Sequence, residues 1–156
     1  MHVRVIAVGT RMSAWVDAAC GEYQRRLRGA DAVELIEVPP AKRAAGSGAA
    51  APARLEAARI LALLKPREYA VALDEHGRSF STLEFSRWLA ERRTQGDALS
   101  FVIGGPDGLA PEVRARVQLS WSLSALTFPH ALVRVLLLEQ LYRASTVLAG
   151  HPYHRP

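Results

Sequence analysis

Five short apolar runs, at residues 3–8, 32–38, 69–73, 99–103 and 119–123, alternate along the chain with segments of helical period. Strands alternating with helices are joined by crossovers, and crossovers build a parallel sheet covered by helices on both faces. The punctuation agrees with that α/β reading. Gly9-Thr10 closes the first run, and Ser13 occupies the N-cap position of a helix over 14–28. Pro39-Pro40 stops the second run, and residues 42–52, with Gly46, Ser47 and Gly48 among alanines, read as a mobile loop before a helix over 54–65. The third run enters a polar turn, Asp74-Glu-His-Gly-Arg78; Ser81 or Thr82 then caps a helix that reaches Gln95 and stops at Gly96. Pro111 and Pro129 each open a further helix at its first position. With 156 residues, 49% of them hydrophobic, the expectation is one domain over residues 1–156.

Several function classes lose support at once. The lone Cys20 allows no intramolecular disulfide, and the opening residues 1–8 read as a strand, not as a signal peptide, so a cytoplasmic protein is expected. Residues 131–149 are rich in Leu and Val, but Arg134, Glu139, Gln140 and Arg143 interrupt them, which argues against a membrane span. The apolar residues cover nearly the whole circumference of that helix, so it is expected to be buried on all sides. Twenty Lys and Arg against fifteen acids favour a polyanionic partner such as RNA. The five histidines and one cysteine form no convincing metal set. There is neither a G-x-G-x-x-G turn after the first strand nor a Gly-Lys-Ser/Thr loop, so nicotinamide and P-loop chemistry are disfavoured.

What remains is a pocket made of backbone. Ligands of an open parallel sheet sit beyond the carboxyl ends of its strands. Leu73-Asp74 closes the third strand, Gly104-Gly-Pro-Asp-Gly108 the fourth and Ser122-Leu-Ser-Ala-Leu-Thr-Phe128 the fifth. Gly104 and Gly105 let a ligand approach the main chain closely. Ser122, Ser124 and Thr127 alternate with Leu123, Leu126 and Phe128, placing hydrogen-bonding groups beside apolar surface for a flat ring. Either loop alone also reads as an ordinary turn or a solvated strand end.

Together these segments resemble a known family. Val5-Ile-Ala-Val-Gly-Thr10, Leu73-Asp-Glu75 with Gly77, Phe101-Val-Ile-Gly-Gly-Pro-Asp-Gly-Leu109, Trp121-Ser-Leu-Ser-Ala-Leu-Thr-Phe-Pro-His130, Leu141-Tyr-Arg-Ala144 and His151-Pro-Tyr-His-Arg155 are similar to the ribosomal RNA large subunit methyltransferase H family over the whole chain. The resemblance implies a SPOUT-type sheet with a C-terminal trefoil knot, acting as a homodimer. It implies methylation of N3 of pseudouridine 1915 in the 23S rRNA of assembled 70S ribosomes, with S-adenosyl-L-methionine as donor and no metal. Cofactor contacts carried over from the family fall on Leu73, Gly104, Leu123, Ser124, Ala125, Leu126, Thr127 and Phe128, with Gly105 and Leu132 as neighbours.

Catalytic candidates follow from the same resemblance. A sulfonium is already a methyl electrophile, so orientation dominates, and the imide N3–H of the base has to lose its proton. His130 is a candidate acceptor, with a structural hydrogen bond as its other reading. Arg143, Tyr153, His154 and Arg155 read as substrate-side groups that hold phosphate and stack on a splayed base, or as a basic tail. Residues 44–53 carry no lysine, which weakens an RNA-contact role for that loop. An alternative is a noncatalytic RNA-binding or ribosome-associated protein of the same fold, which would not bind the methyl donor.

Overall fold

Two strands, β1 (Val3–Val8) and β4 (Leu99–Ile103), are buried along their whole length and form the middle of the sheet in the computed structural model, which describes residues 1–42, 48 and 50–155. β2 (Val33–Val38) flanks β1; β3 (Tyr69–Ser79) and then β5 (Leu119–Ser122) extend the other side, giving the order β2-β1-β4-β3-β5 with every pairing parallel. The helices are α1 (Ala14–Arg26), α2 (Ala50–Leu63), α3 (Thr82–Gln95), α4 (Pro111–Arg116) and α5 (His130–Leu148).

The period of two along the strands sorts the core into two layers. Val3, Val5, Ala7, Phe101 and Ile103 face α1, α3 and α5, meeting Val16, Cys20, Phe85, Leu137 and Leu141. Ile6, Val8, Ala70 and Val102 point the other way, onto Ala57, Ile60 and Val113 of α2 and α4. The parallel α/β expectation is met, with a buried ion pair inside it. Arg4 of β1 donates from Nε to Glu68 Oε1 at 3.0 Å and from Nη2 to the Leu63 carbonyl at 2.8 Å, and Ser100 donates to the same carboxylate at 2.6 Å.

Four local expectations change. α1 stops at Arg26, not 28, because Gly29 adopts φ +59° in a 3-10 turn. Of the loop expected over 42–52, residues 43–47 and 49 lie outside the described residues, while 50–52 already belong to α2; Pro52 is tolerated there because the first helical turn needs no N–H donor. The polar segment after Leu73 is not a terminating turn. β3 resumes at Arg78, and Trp121 of β5 pairs with both Leu73 and Arg78, so Asp74–Gly77 form a bulge in a continuing strand. Pro129 is the N-cap of α5 and His130 its first residue.

α5 packs on α1 and α3 and reaches β4, although the strand before it, β5, lies at the sheet edge beyond β3. It is not buried all round: Leu132 and Leu136, neighbours on one face, are only half-buried and lie outside the core cluster. Among the described residues no helix is long and apolar enough to cross a membrane.

Candidate functional site

Because β5, β3 and β4 are adjacent and parallel, the carboxyl ends of β4 and β5 open beside the bulge of β3. A cavity of about 570 Å³ lies there. Leu73 and Asp74 line it from β3, Ile103, Gly104 and Gly105 from β4, and Leu123, Ser124, Leu126, Thr127 and Phe128 from the loop after β5. His130 and Val133 of α5 complete the wall. Ala125 is exposed and does not line the cavity, nor does Leu132.

The two loops are held by their own polar groups. The Gly108 amide donates to the Gly105 carbonyl at 2.9 Å, and Gly108 takes φ +74°, so the fourth strand ends in a tight turn. A Cβ on Gly104 would come within 2.9 Å of the Gly108 carbonyl carbon and oxygen, so a side chain there would force the turn open. In the second loop Ser122 Oγ donates to the Ser124 carbonyl at 2.8 Å, and Ser124 Oγ accepts from the Leu126 amide at 3.0 Å. These hydroxyls shape the loop.

Charged groups that the sequence reading left out of the site stand on the opposite rim. The bulge in β3 carries Asp74, whose carboxylate lies 3.0 Å from Arg114 Nη1 of α4, and Glu75, which accepts from Thr127 Oγ1 at 2.6 Å. Asp74, Glu75, His76 and Arg114 all line the cavity. Finding Asp74 and Arg114 together requires the strand order; neither the bulge nor the α4 partner has a local signature.

His130 is half-buried at the start of α5. Burial, and then the nearby Arg134 guanidinium, push its pKa below the ordinary imidazole value, so the ring is neutral near pH 7. The other catalytic candidates gather elsewhere. Arg143 Nε and Tyr153 OH both donate to Glu139 Oε1, at 2.8 and 3.2 Å, and the guanidinium stacks 4.8 Å from the Tyr153 ring centroid. Tyr153 also packs edge-on to Tyr142 at 4.7 Å. Burial first, then hydrogen bonds with Tyr23 and Glu139, raise its pKa far above the usual tyrosine range. His154 Nδ1 is buried without a partner. Thirteen residues of helix separate His130 from Arg143, about 20 Å at 1.5 Å per residue. Within one chain they do not meet. Among the described residues no group of three His, Cys, Asp or Glu side chains forms a metal-ligand set.

Main-chain loops and the first turn of the last helix thus wall a cavity on a parallel sheet. A family model described as "Predicted SPOUT methyltransferase" matches residues 1–154. Ribosomal RNA large subunit methyltransferase H of Thioalkalivibrio sulfidiphilus is 51% identical over 155 residues, covering 99% of each chain. The proteins of the same name from Pseudomonas fluorescens and Pseudomonas aeruginosa are 47% and 46% identical, covering 99% of this chain and all of theirs. The chain belongs to the ribosomal RNA large subunit methyltransferase H family.

Solved structures agree at the level of fold. A probable methylase family protein from Haemophilus influenzae superposes with TM-score 0.54 at 13% identity, over 95% of this chain and 66% of its own. A chain assigned to a methylase family in Neisseria gonorrhoeae gives TM-score 0.54 at 14% identity, over 99% and 87%.

Proposed function

We propose that the protein transfers a methyl group from S-adenosyl-L-methionine to N3 of pseudouridine 1915 in the 23S rRNA of assembled 70S ribosomes. On this reading it is a cytoplasmic homodimer, each chain a single SPOUT domain with its C-terminal segment in a trefoil knot. The carrying observation is the 570 Å³ cavity between the ends of β4 and β5 and the bulge of β3, in a chain that aligns end to end with methyltransferases named for large-subunit rRNA.

The residues fit the proposed donor. The volume lies within the range that encloses a nucleoside-sized ligand. Leu73, Ile103, Leu123 and Phe128 offer apolar walls for a purine ring, the glycine turn offers close-approaching main chain, and Asp74 and Glu75 are acceptors for hydroxyl or ammonium hydrogens. Bound there, the donor supplies a methyl group activated by a positively charged sulfur. The chain's own work is then to orient the attacking nitrogen and to receive one proton, and orientation alone contributes roughly 7–11 kcal/mol to such reactions. His130, neutral on the cavity wall, is the acceptor of the N3 proton. Arg143, Tyr153 and His154, with Arg155, hold the RNA, and a partner copy brings them to the mouth of the cavity. The half-buried face of α5 that carries Leu132 and Leu136 supports a subunit contact. The return of the chain from edge strand β5 to a helix packed beneath β4 supports the knot.

Two measurements test this. Calorimetric titration with S-adenosyl-L-methionine should detect binding; none at millimolar ligand would leave a noncatalytic RNA-binding protein. Transfer of labelled methyl should be strong on 70S particles and weak on free subunits and bare rRNA, and failure on all three would refute the substrate.

A further inference from the structure

Among the described residues Arg134 is the largest side chain that is almost fully buried, and it lies one turn after His130 on α5. Its Nη1 donates to Glu37 of β2 at 2.6 Å and its Nη2 to the Gly9 carbonyl at the end of β1 at 3.1 Å. Its Nε is buried with no partner. A buried cation with an unmade hydrogen bond is a poor way to fill space, since an apolar side chain of similar volume avoids the desolvation cost. Such a group calls for a role other than packing.

Its position supplies one. A methyl group on Gly9 would come within 3.5 Å of Arg134 Nη2 and 3.7 Å of His130 Nε2, so guanidinium and imidazole flank the same point at the end of β1. Gly9 has φ +126°, a backbone conformation that L side chains rarely adopt, so glycine is what lets the chain turn between the guanidinium and the imidazole. We propose that Arg134 is a positioning residue for the methyl transfer. Its buried cation pins the first turn of α5 to the ends of β1 and β2 and presents the His130 ring to the cavity as a proton acceptor. This role rests on the methyltransferase reading above. In the step it serves, N3 of the base gives its proton to His130 and forms a bond to the methyl carbon, while the electron pair of the breaking carbon–sulfur bond stays on sulfur.

Other charges surround the pair. Cys20 and Asp17 of α1 and Glu37 of β2 lie on the Arg134 side, and Asp74, Glu75 and His76 of β3 with Arg114 of α4 share the cavity with His130. Arg134 is the charged group that acts on the His130 ring most directly, lowering its proton affinity beyond what burial does.

The test is NMR titration of the His130 ring protons in ligand-free protein, alongside the pH–rate profile on 70S ribosomes. Arg134→Gln keeps a polar side chain but removes the charge. It should raise the His130 midpoint by about half a pH unit or more and carry the acid limb of the rate with it, and Arg134→Lys should restore both. An unmoved midpoint in folded Arg134→Gln overturns the proposal. If that variant does not fold, the half-exposed Glu37 gives the answer. Glu37→Gln should lower kcat more than about threefold with donor affinity unchanged, whereas an unchanged kcat overturns the proposal. A midpoint shift in a protein that methylates no ribosomal substrate would sink the methyltransferase reading while leaving the Arg134–His130 coupling intact.

Discussion

His130 is held away from its cationic form by burial, by Arg134 and by the positive end of α5. A histidine whose folded pKa is depressed leaves the unfolded chain binding more protons as pH falls below 6.5, so its contribution to stability is present above that value and lost below it. The same direction governs a base: methyl transfer should be flat above neutrality and fall on the acid side. His130→Gln is expected to lower the single-turnover rate about a hundredfold, with donor affinity by calorimetry unchanged. A full rate in that variant would assign the ring to structural hydrogen bonding. Glu68 has the same sign from a different cause. Burial alone would raise its carboxyl pKa, but hydrogen bonds from Arg4, Ser100 and the Lys65 amide outweigh it and hold the group below the ordinary 4.5. That stability is present above 4.5 and is lost as pH falls through the depressed value. Glu68→Gln leaves Arg4 buried without its counter-charge and should cost about 3–5 kcal/mol in urea unfolding at pH 7, with a smaller difference in acid.

At the scale of elements, what is local was readable and what is long-range was not. α3 carries its limits in its own residues: Ser81 and Glu84 form a reciprocal capping box, and Gly96 closes the helix at φ +73°. β1 and β4 are readable because a strand covered on both faces is apolar throughout. The glycine turn and the Ser-Leu-Ser loop were likewise legible as a backbone-lined wall, since their chemistry lies in consecutive residues. The bulge in β3 was not. Asp-Glu-His-Gly reads as a turn, and only the return of Arg78 to Trp121 makes it a strand feature. Arg114 beside Asp74, and Arg134 beneath His130, depend on the order β2-β1-β4-β3-β5, which no local pattern encodes. Gly77 is where the bulge can be broken. A Cβ there would lie 2.5 Å from the main-chain carbon and oxygen of Ser120, so Gly77→Ala must push the bulge off β5. The expected cost is about 1–3 kcal/mol of stability. Because Asp74, Glu75 and His76 ride on that bulge, calorimetry should also show a larger loss of donor affinity than a stability-matched core variant shows.

For the whole molecule, the distance between His130 and the tail cluster decides how many chains make one site. About 20 Å of helix lies between His130 and Arg143, too far for both to touch one nucleotide within a chain. A two-fold axis through the half-buried stripe of α5 would let each tail serve the neighbouring cavity, because an isologous contact repeats every residue on both sides. Subunit complementation measures this. A dimer of His130→Gln chains lacks the proposed proton acceptor at both cavities, and a dimer of Arg143→Ala chains lacks the proposed RNA-binding arginine at both. Equal mixing with exchange makes half the dimers mixed, and in each of these one site joins an intact His130 to an intact Arg143 from the other chain. The mixture should recover about a quarter of the wild-type rate on 70S ribosomes although neither parent is active. If each tail serves its own cavity instead, every site in the mixed dimer carries one defect and the rate stays at the level of the parents.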